Sequence, residues 1–312
     1  MQIFGGSTNV AAGSGPYAVG IGVFDGVHRG HCALLQKVIE LGRRDELQTL
    51  AYTFHPHPAQ VLSPKNAPSL IEPIEARLER IEAMGFTATL VEPFSRELAI
   101  TEAETFVHHV LLAKLQARHV VVGADFAFGR DRSGTVAFLQ SMAARVGFEV
   151  HPTPLVSYAG LPVSSTRIRK LVVAGEVRSA AELLGHPFSL SGVVLRGQQR
   201  GAGLGFPTAN MEPHNELMPL PGVYAARVTG AATGPAVVNV GYAPTFGVGK
   251  LRVEAHILDF PARPLYGSIL EVAFVDRLRE EQRFSGPAAL ADQIKLDIVA
   301  ARRVFGLNGL AS

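Results

Sequence analysis

The pattern of apolar runs changes character once along this 312-residue chain, near Gly185-His186-Pro187, and that change narrows the possible folds. Upstream, short apolar runs alternate with amphipathic stretches. Residues 17–24 (YAVGIGVF) read as a buried parallel strand. A polar Gly/His loop follows, then a helix over about 31–41 with Leu34, Leu35, Val38 and Ile39 on one face and Gly42 to end it. Further strands are expected at 49–54, 87–91, 119–123 and 148–150. Helices are expected at 73–84, from a Thr101/Glu104 capping box to about 117, at 133–146, and as two short pieces at 166–174 and 177–184. Such alternation predicts an α/β fold with an open parallel sheet covered by helices. Downstream, the runs at 190–195, 223–228, 236–240, 252–259 and 268–275 are β-like and separated by Gly/Pro turns. They predict an antiparallel barrel or sandwich. One helix closes the chain at about 287–305, with Leu290, Ile294, Leu296, Ile298 and Val299 as its apolar positions. Two domains are therefore expected, 1–186 and 187–312, each of ordinary domain size.

Composition excludes several classes. The longest apolar run, 107–115, contains two histidines and Lys114, well short of the ~18–20 apolar residues of a bilayer helix. The first fifteen residues lack a basic start followed by an apolar core, so no signal peptide is expected. A single cysteine, Cys32, excludes a disulfide framework and suits a reducing cytoplasm. It is read as a small packing residue. The net charge of +2 argues against a nucleic-acid surface. No membrane partner is expected, and the oligomeric state is not legible.

In open α/β sheets, ligands gather beyond the carboxyl ends of the strands. After the first strand comes Gly22-Val23-Phe24-Asp25-Gly26-Val27-His28-Arg29-Gly30-His31. His31 opens a helix whose free N–H groups and dipole favour an anion, and Gly30 lets the backbone approach it. His28 and His31 can flank one phosphate and donate hydrogen bonds to oxygens that gain charge. The alternative is that both histidines merely cap the helix. Ser164-Ser165-Thr166-Arg167-Ile168-Arg169 sets hydroxyls and two cations at another helix start, where acids are the usual choice. In the second half, Gly197–Asn210 is dense in glycine, including Gly201 and Gly203, whose N–H groups can wrap phosphates. Thr208 and Asn210 offer oxygens to a Mg²⁺–phosphate complex. The pattern GxxxxGK[ST] is absent, so a kinase here is not of the P-loop type. Strand alternation sets Val253, Ala255 and Ile257 on one face and Glu254 and His256 on the other. Glu254 is either a general base or a solvated carboxylate.

The string FDGVHRGH (24–31) with SSTRIR (164–169) resembles the nucleotidyltransferase superfamily, whose HxGH and SSTxIR motifs bind ATP. With TFHPHP (53–58) and VGADFAFG (122–129), the first half resembles the adenylyltransferase part of the bacterial bifunctional riboflavin kinase/FAD synthetase family. LGFPTAN (204–210), PGVY (221–224), VNVG (238–241), APTF (243–246), VEAH (253–256), LYG (265–267) and LRE (278–280) follow in the order seen in riboflavin kinases. The resemblance implies a nucleotidyltransferase-like Rossmann domain followed by an all-β barrel with a C-terminal helix. It implies that riboflavin is phosphorylated to FMN by ATP and that FMN is adenylylated to FAD with release of pyrophosphate.

The same resemblance implies roles for residues. His28 and His31, with Gly22, Phe24, Gly30, Ser164, Ser165, Thr166 and Arg167, would serve the ATP phosphates. His57 would face nucleotide, flavin or metal, Asp125 flavin or ribose, and Phe126 and Phe128 flavin, against plainer roles as turn formers and, for the two phenylalanines above all, core aromatics. Thr208 and Asn210 would bind Mg²⁺ with ATP, and Glu254 would be the base. Ala202 stands where the family often has arginine, and Arg200 lies two residues earlier.

Overall fold

In a computed structural model of the chain, residues 1–11, 13–196, 203–242, 251–261 and 263–307 are described. Contacts divide the chain into two units, Met1–Ser69 with Ile74–Ser164, and Leu70–Pro73 with Ser165–Ser312. The change of architecture comes later than that division, after two helices that belong to the second unit.

The first unit begins with β1 (Gln2–Phe4) and β2 (Tyr17–Ile21), then α1 (Arg29–Arg44), β3 (Gln48–His55), α2 (Pro58–Leu62), α3 (Ile74–Ala83) and β4 (Ala88–Pro93). Next come α4 (Arg96–Ala99), α5 (Ala103–Phe106), a π-helical stretch (Val107–Lys114) and β5 (His119–Gly123). The unit continues with β6 (Ala127–Phe128), β7 (Gly134–Thr135), α6 (Val136–Val146), β8 (Glu149–Thr153), β9 (Ser157–Tyr158) and β10 (Leu161–Pro162). Six strands form one parallel sheet in the order β1-β4-β3-β2-β5-β8. From β2 the chain adds β3 and β4 on one side and β5 and β8 on the other, so the carboxyl end of β2 is a topological switch point, where such sheets bind ligands. All five residues of β2 are buried, as a strand covered on both faces requires.

Three local expectations fail. Gly42 does not end α1, which runs to Arg44 with Asp45 as its cap. A Cβ at Gly42 would lie 2.6 Å from the Thr49 side chain, so the glycine serves close packing of α1 on β3. The Thr101/Glu104 capping box does not form. The Thr101 hydroxyl donates to the Glu97 carbonyl at 3.2 Å, and Glu102 holds the cap position without a side-chain capping bond. The expected single helix to 117 turns π-helical, with the Leu115 N–H donating to the Val110 carbonyl five residues back at 3.0 Å.

The second unit opens with α7 (Ser165–Val173) and α8 (Val177–Leu184). Its strands β11 (Ser189–Leu195), β12 (Ala209–Pro213), β13 (Gly222–Gly230), β14 (Gly234–Tyr242), β15 (Leu251–Ile257) and β16 (Ile269–Arg279) close a barrel in the order β11-β12-β15-β14-β13-β16. The two alternatives left by the sequence, barrel and sandwich, thus resolve to a barrel. Closure leaves no unpaired sheet edge. Alternation fills the interior with Met211, Tyr224, Val238, Val240, Val253 and Phe274. The last helix, α9 (Pro287–Val304), covers the other side of the wall, where Ile298, Ala301, Val304 and Phe305 meet Val223, Ala225 and Val237. Of the helix's apolar positions, Leu296 and Val299 are exposed. Asp297 takes the buried place instead, paired with Arg279 through bonds of 2.8 and 2.7 Å. Among the described residues no helix is long and apolar enough to cross a membrane.

Candidate active sites

The loop from β2 to α1 is shaped by packing. Phe24 is fully buried at φ 52°, and a Cβ at Gly22 would lie 2.6 Å from its ring. Phe24 stands edge-on to His31 at 5.4 Å between ring centroids. The imidazoles of His28 and His31 stack at 3.6 Å, only 14° from parallel. His28 Nδ1 accepts from the His31 backbone N–H at 3.2 Å, so His28 does cap α1. Gly30 has a second reason to be glycine, because a Cβ there would press on the His28 ring at 3.1 Å. Burial, with the His28 ring and the Arg77 guanidinium nearby, holds the His31 imidazole well below its ordinary range. His31 Nδ1 is buried with no hydrogen-bond partner among the described residues.

Arg77 was not found from the sequence. It lies on the buried face of α3 with Ile81, four residues on, and is 1% exposed. Its guanidinium reaches the Phe54 carbonyl at 3.3 Å and buried Asp25 at 3.9 Å. The signal was an arginine on the apolar side of an amphipathic helix. Arg77→Ala leaves Asp25 without that partner in a buried setting. It should lower unfolding stability by roughly 3–5 kcal/mol, measured by denaturant titration.

His57 caps α2. Its Nδ1 accepts from the Ala59 N–H at 3.0 Å, while Gln60 accepts from the His57 N–H at 3.0 Å. Asp125 is exposed in the turn where the Phe126 N–H donates to the Gly123 carbonyl at 3.0 Å. Phe126 and Phe128 stack at 5.4 Å and pack with Phe106 against the core. Cys32 donates to the Val27 carbonyl at 3.2 Å. In the second unit, Ser165, Thr166 and Arg167 form the first turn of α7, with no acid in it. Ser164 directly precedes that helix.

On the barrel, register pairs Asn210 with Glu254 and Glu254 with Asn239, a polar row over β12, β15 and β14. Cross-strand neighbours of this kind stand roughly 5 Å apart. The row is half-buried and lies on the face away from Val253 and Ala255, as the alternation predicts. The His256 ring reaches back to the chain before β12. Its Nδ1 donates to the Pro207 carbonyl at 2.9 Å, and the ring meets Phe206 edge-on at 5.7 Å. The peptide just before Thr208 is thereby tied to the Glu254 strand. Asn239, within the string VNVG, was not singled out from the sequence; strand register sets it beside Glu254. Gly203 is exposed. Arg200, Gly201, Ala202 and residues 243–246 lie outside the described residues.

The FAD synthetase family pattern matches residues 12–167, and the riboflavin kinase pattern matches residues 184–305. A curated Escherichia coli relative, "Bifunctional riboflavin kinase/FMN adenylyltransferase", is 36% identical over 290 residues, 92% of each chain. The chain belongs to this bifunctional riboflavin kinase/FMN adenylyltransferase family. A Pseudomonas fluorescens relative of the same description is 39% identical and covers 90% of this chain and 91% of its own. A Listeria monocytogenes relative is 34% identical over 91% of both chains. Among solved structures, one from Streptococcus pneumoniae described as a macrolide-efflux protein aligns with TM-score 0.86 at 29% identity, covering 96% of this chain and 98% of that one. Of the sites laid out above, the stacked histidines fall within the adenylyltransferase match and the Asn210–Glu254–Asn239 row within the kinase match.

Proposed function

We propose that residues 187–312 phosphorylate riboflavin to FMN and residues 1–186 adenylylate that FMN to FAD, each step using one ATP. The observation that carries this reading is the presence of both family patterns, in order, on one chain whose two parts have different architectures. Purified protein given riboflavin, ATP and Mg²⁺ should yield FMN and then FAD on chromatography. If neither flavin product forms, the reading fails.

In the kinase step, Glu254 is proposed to take the proton of the riboflavin 5′-hydroxyl as that oxygen attacks the γ-phosphorus and ADP leaves. Its place between Asn210 and Asn239 supports the role, since amides on both sides can orient the carboxylate. Thr208 and Asn210 present neutral oxygens beside a carboxylate, a hard donor set that suits Mg²⁺ held with ATP. That ion, when bound, neutralises charge on the phosphates. The His256–Pro207 bond supports a fixed position for Thr208. His256→Ala should raise the KM for ATP on the order of tenfold in the kinase assay, because small displacements of positioning groups are costly. FAD formation from supplied FMN should not change.

In the adenylyl step, an FMN phosphate oxygen attacks the α-phosphorus of ATP and pyrophosphate leaves. No protein nucleophile is needed, and positioning with charge stabilisation accounts for the rate. His28 and His31 are proposed to donate ring N–H groups to phosphate oxygens at the positive end of α1. The His31 Nδ1, without a partner among the described residues, supports this, because a buried polar atom calls for a hydrogen-bond partner. Gly22, Phe24, Gly30, Ser164, Ser165, Thr166 and Arg167 keep the supporting roles that the family motifs imply, as do Gly201 and Gly203 in the kinase part. A cytoplasmic location belongs to the same proposal, supported by the single cysteine.

A further inference from the structure

The carboxyl end of the parallel sheet accounts for the adenylyl site, but a second cluster lies at its amino end. His119 is the first residue of β5 and Glu149 the first of β8, and the two are register partners. His151, two residues along β8, points to the same side as Glu149. His119 Nδ1 lies 3.1 Å from His151 Nε2. Glu149 Oε2 lies 3.6 Å from the first of these nitrogens and 3.4 Å from the second. Three donor atoms thus form a nearly equilateral triangle.

We propose that His119, Glu149 and His151 bind one first-row divalent transition ion of the zinc class, with Asp45 orienting His119. Metal–nitrogen and metal–oxygen bonds of about 2.0–2.2 Å in tetrahedral geometry set donor atoms roughly 3.3–3.6 Å apart; the spacings of 3.4 and 3.6 Å fit that range, and the 3.1 Å between the imidazole nitrogens needs to open only slightly. A hydrogen-bond relay would explain only the 3.1 Å contact between the imidazoles. It would not explain why one carboxylate oxygen stands at 3.4 and 3.6 Å from both nitrogens, too far for good hydrogen bonds. Two imidazoles with a carboxylate select zinc-like ions over Mg²⁺ or Ca²⁺, which prefer all-oxygen sets.

The outer layer fits as well. His119 Nε2 meets Asp45 Oδ2 at 2.5 Å, so the proton on that nitrogen faces the carboxylate and leaves Nδ1 as the donor to a metal. Arg44 fixes Asp45 in turn, through bonds of 2.8 and 2.7 Å. His119 is buried, His151 borders an open cleft with Lys37, Glu40 and Pro152, and the Glu149 side chain is 62% exposed. An ion therefore has a path in and a corner left for water or another ligand. Asp45 caps the far end of α1 from His28. That helix has 16 residues, or about 24 Å of length, so the cluster is separate from the adenylyl site. A bound ion would pin edge strand β8 to β5.

The test uses untagged full-length protein stripped by a chelator that is then removed. Cobalt(II) is titrated in and followed by its visible absorption, then displaced by Zn²⁺. The proposal expects one equivalent of Co²⁺ with the intense bands of low-coordinate geometry, lost when Zn²⁺ is added. His151→Ala and Glu149→Gln alter partly exposed side chains and should fold, weakening Zn²⁺ binding at least tenfold while FAD formation is unchanged. Asp45→Asn should weaken it about 10–100-fold. Zn²⁺ should also raise the Tm of the parent protein and not of His151→Ala. No zinc-displaceable Co²⁺ band in the parent protein, or equal binding by parent and His151→Ala, overturns the proposal.

Discussion

FAD formation from FMN and ATP should fall by about 10²–10³-fold in His28→Ala, the cost expected for removing one donor to a developing phosphate charge, while FMN formation from riboflavin should keep its rate. Two effects must be separated in this variant. His28 also caps α1, and losing a cap costs typically ~1 kcal/mol of stability. Asparagine can cap the helix as well as histidine can, yet it cannot reproduce the stacked imidazole pair. His28→Asn should therefore retain the parent Tm and still lose FAD formation. Recovery of FAD formation in His28→Asn would assign His28 to the fold alone.

Glu254→Gln should lower FMN formation from riboflavin by about 10²–10⁴-fold, the usual contribution of a general base. The change is nearly isosteric and leaves the register pairing with β12 and β14 as it is, so stability should hardly move. With FMN supplied, FAD formation should match the parent enzyme. A Glu254→Gln enzyme with full kinase activity would return that residue to the solvated reading that sequence alone left open.

The division into an α/β part and a barrel was legible because it rests on periodicity, and period 2 and period 3.6 place apolar residues differently. Individual boundaries were less legible. Gly42 has the composition of a helix end, but its lack of a side chain serves a contact with Thr49 that no local pattern reveals. Leu296 and Val299 are apolar yet exposed, because the face of α9 against the barrel is set by the Asp297–Arg279 pair and Ala301. Short β12 was missed as a strand. Its five residues, ANMEP, show little alternation, and it is held by pairing with β11 and β15. At the candidate sites, the His28 loop and the Glu254 strand were singled out by motif chemistry. Arg77, Asn239 and the triangle at His119 were not, because they come together only through α3 packing and strand register.

Two separable sites that act in succession should complement each other between chains. The most direct measurement mixes His28→Ala with Glu254→Gln in the presence of riboflavin, ATP and Mg²⁺ and follows FAD. Alone, the first should stop at FMN and the second should leave riboflavin largely unconverted. Together they should make FAD, because FMN from one chain's barrel feeds the other chain's α/β domain. A mixture that makes no more FAD than its better component would show that the two sites are not separable.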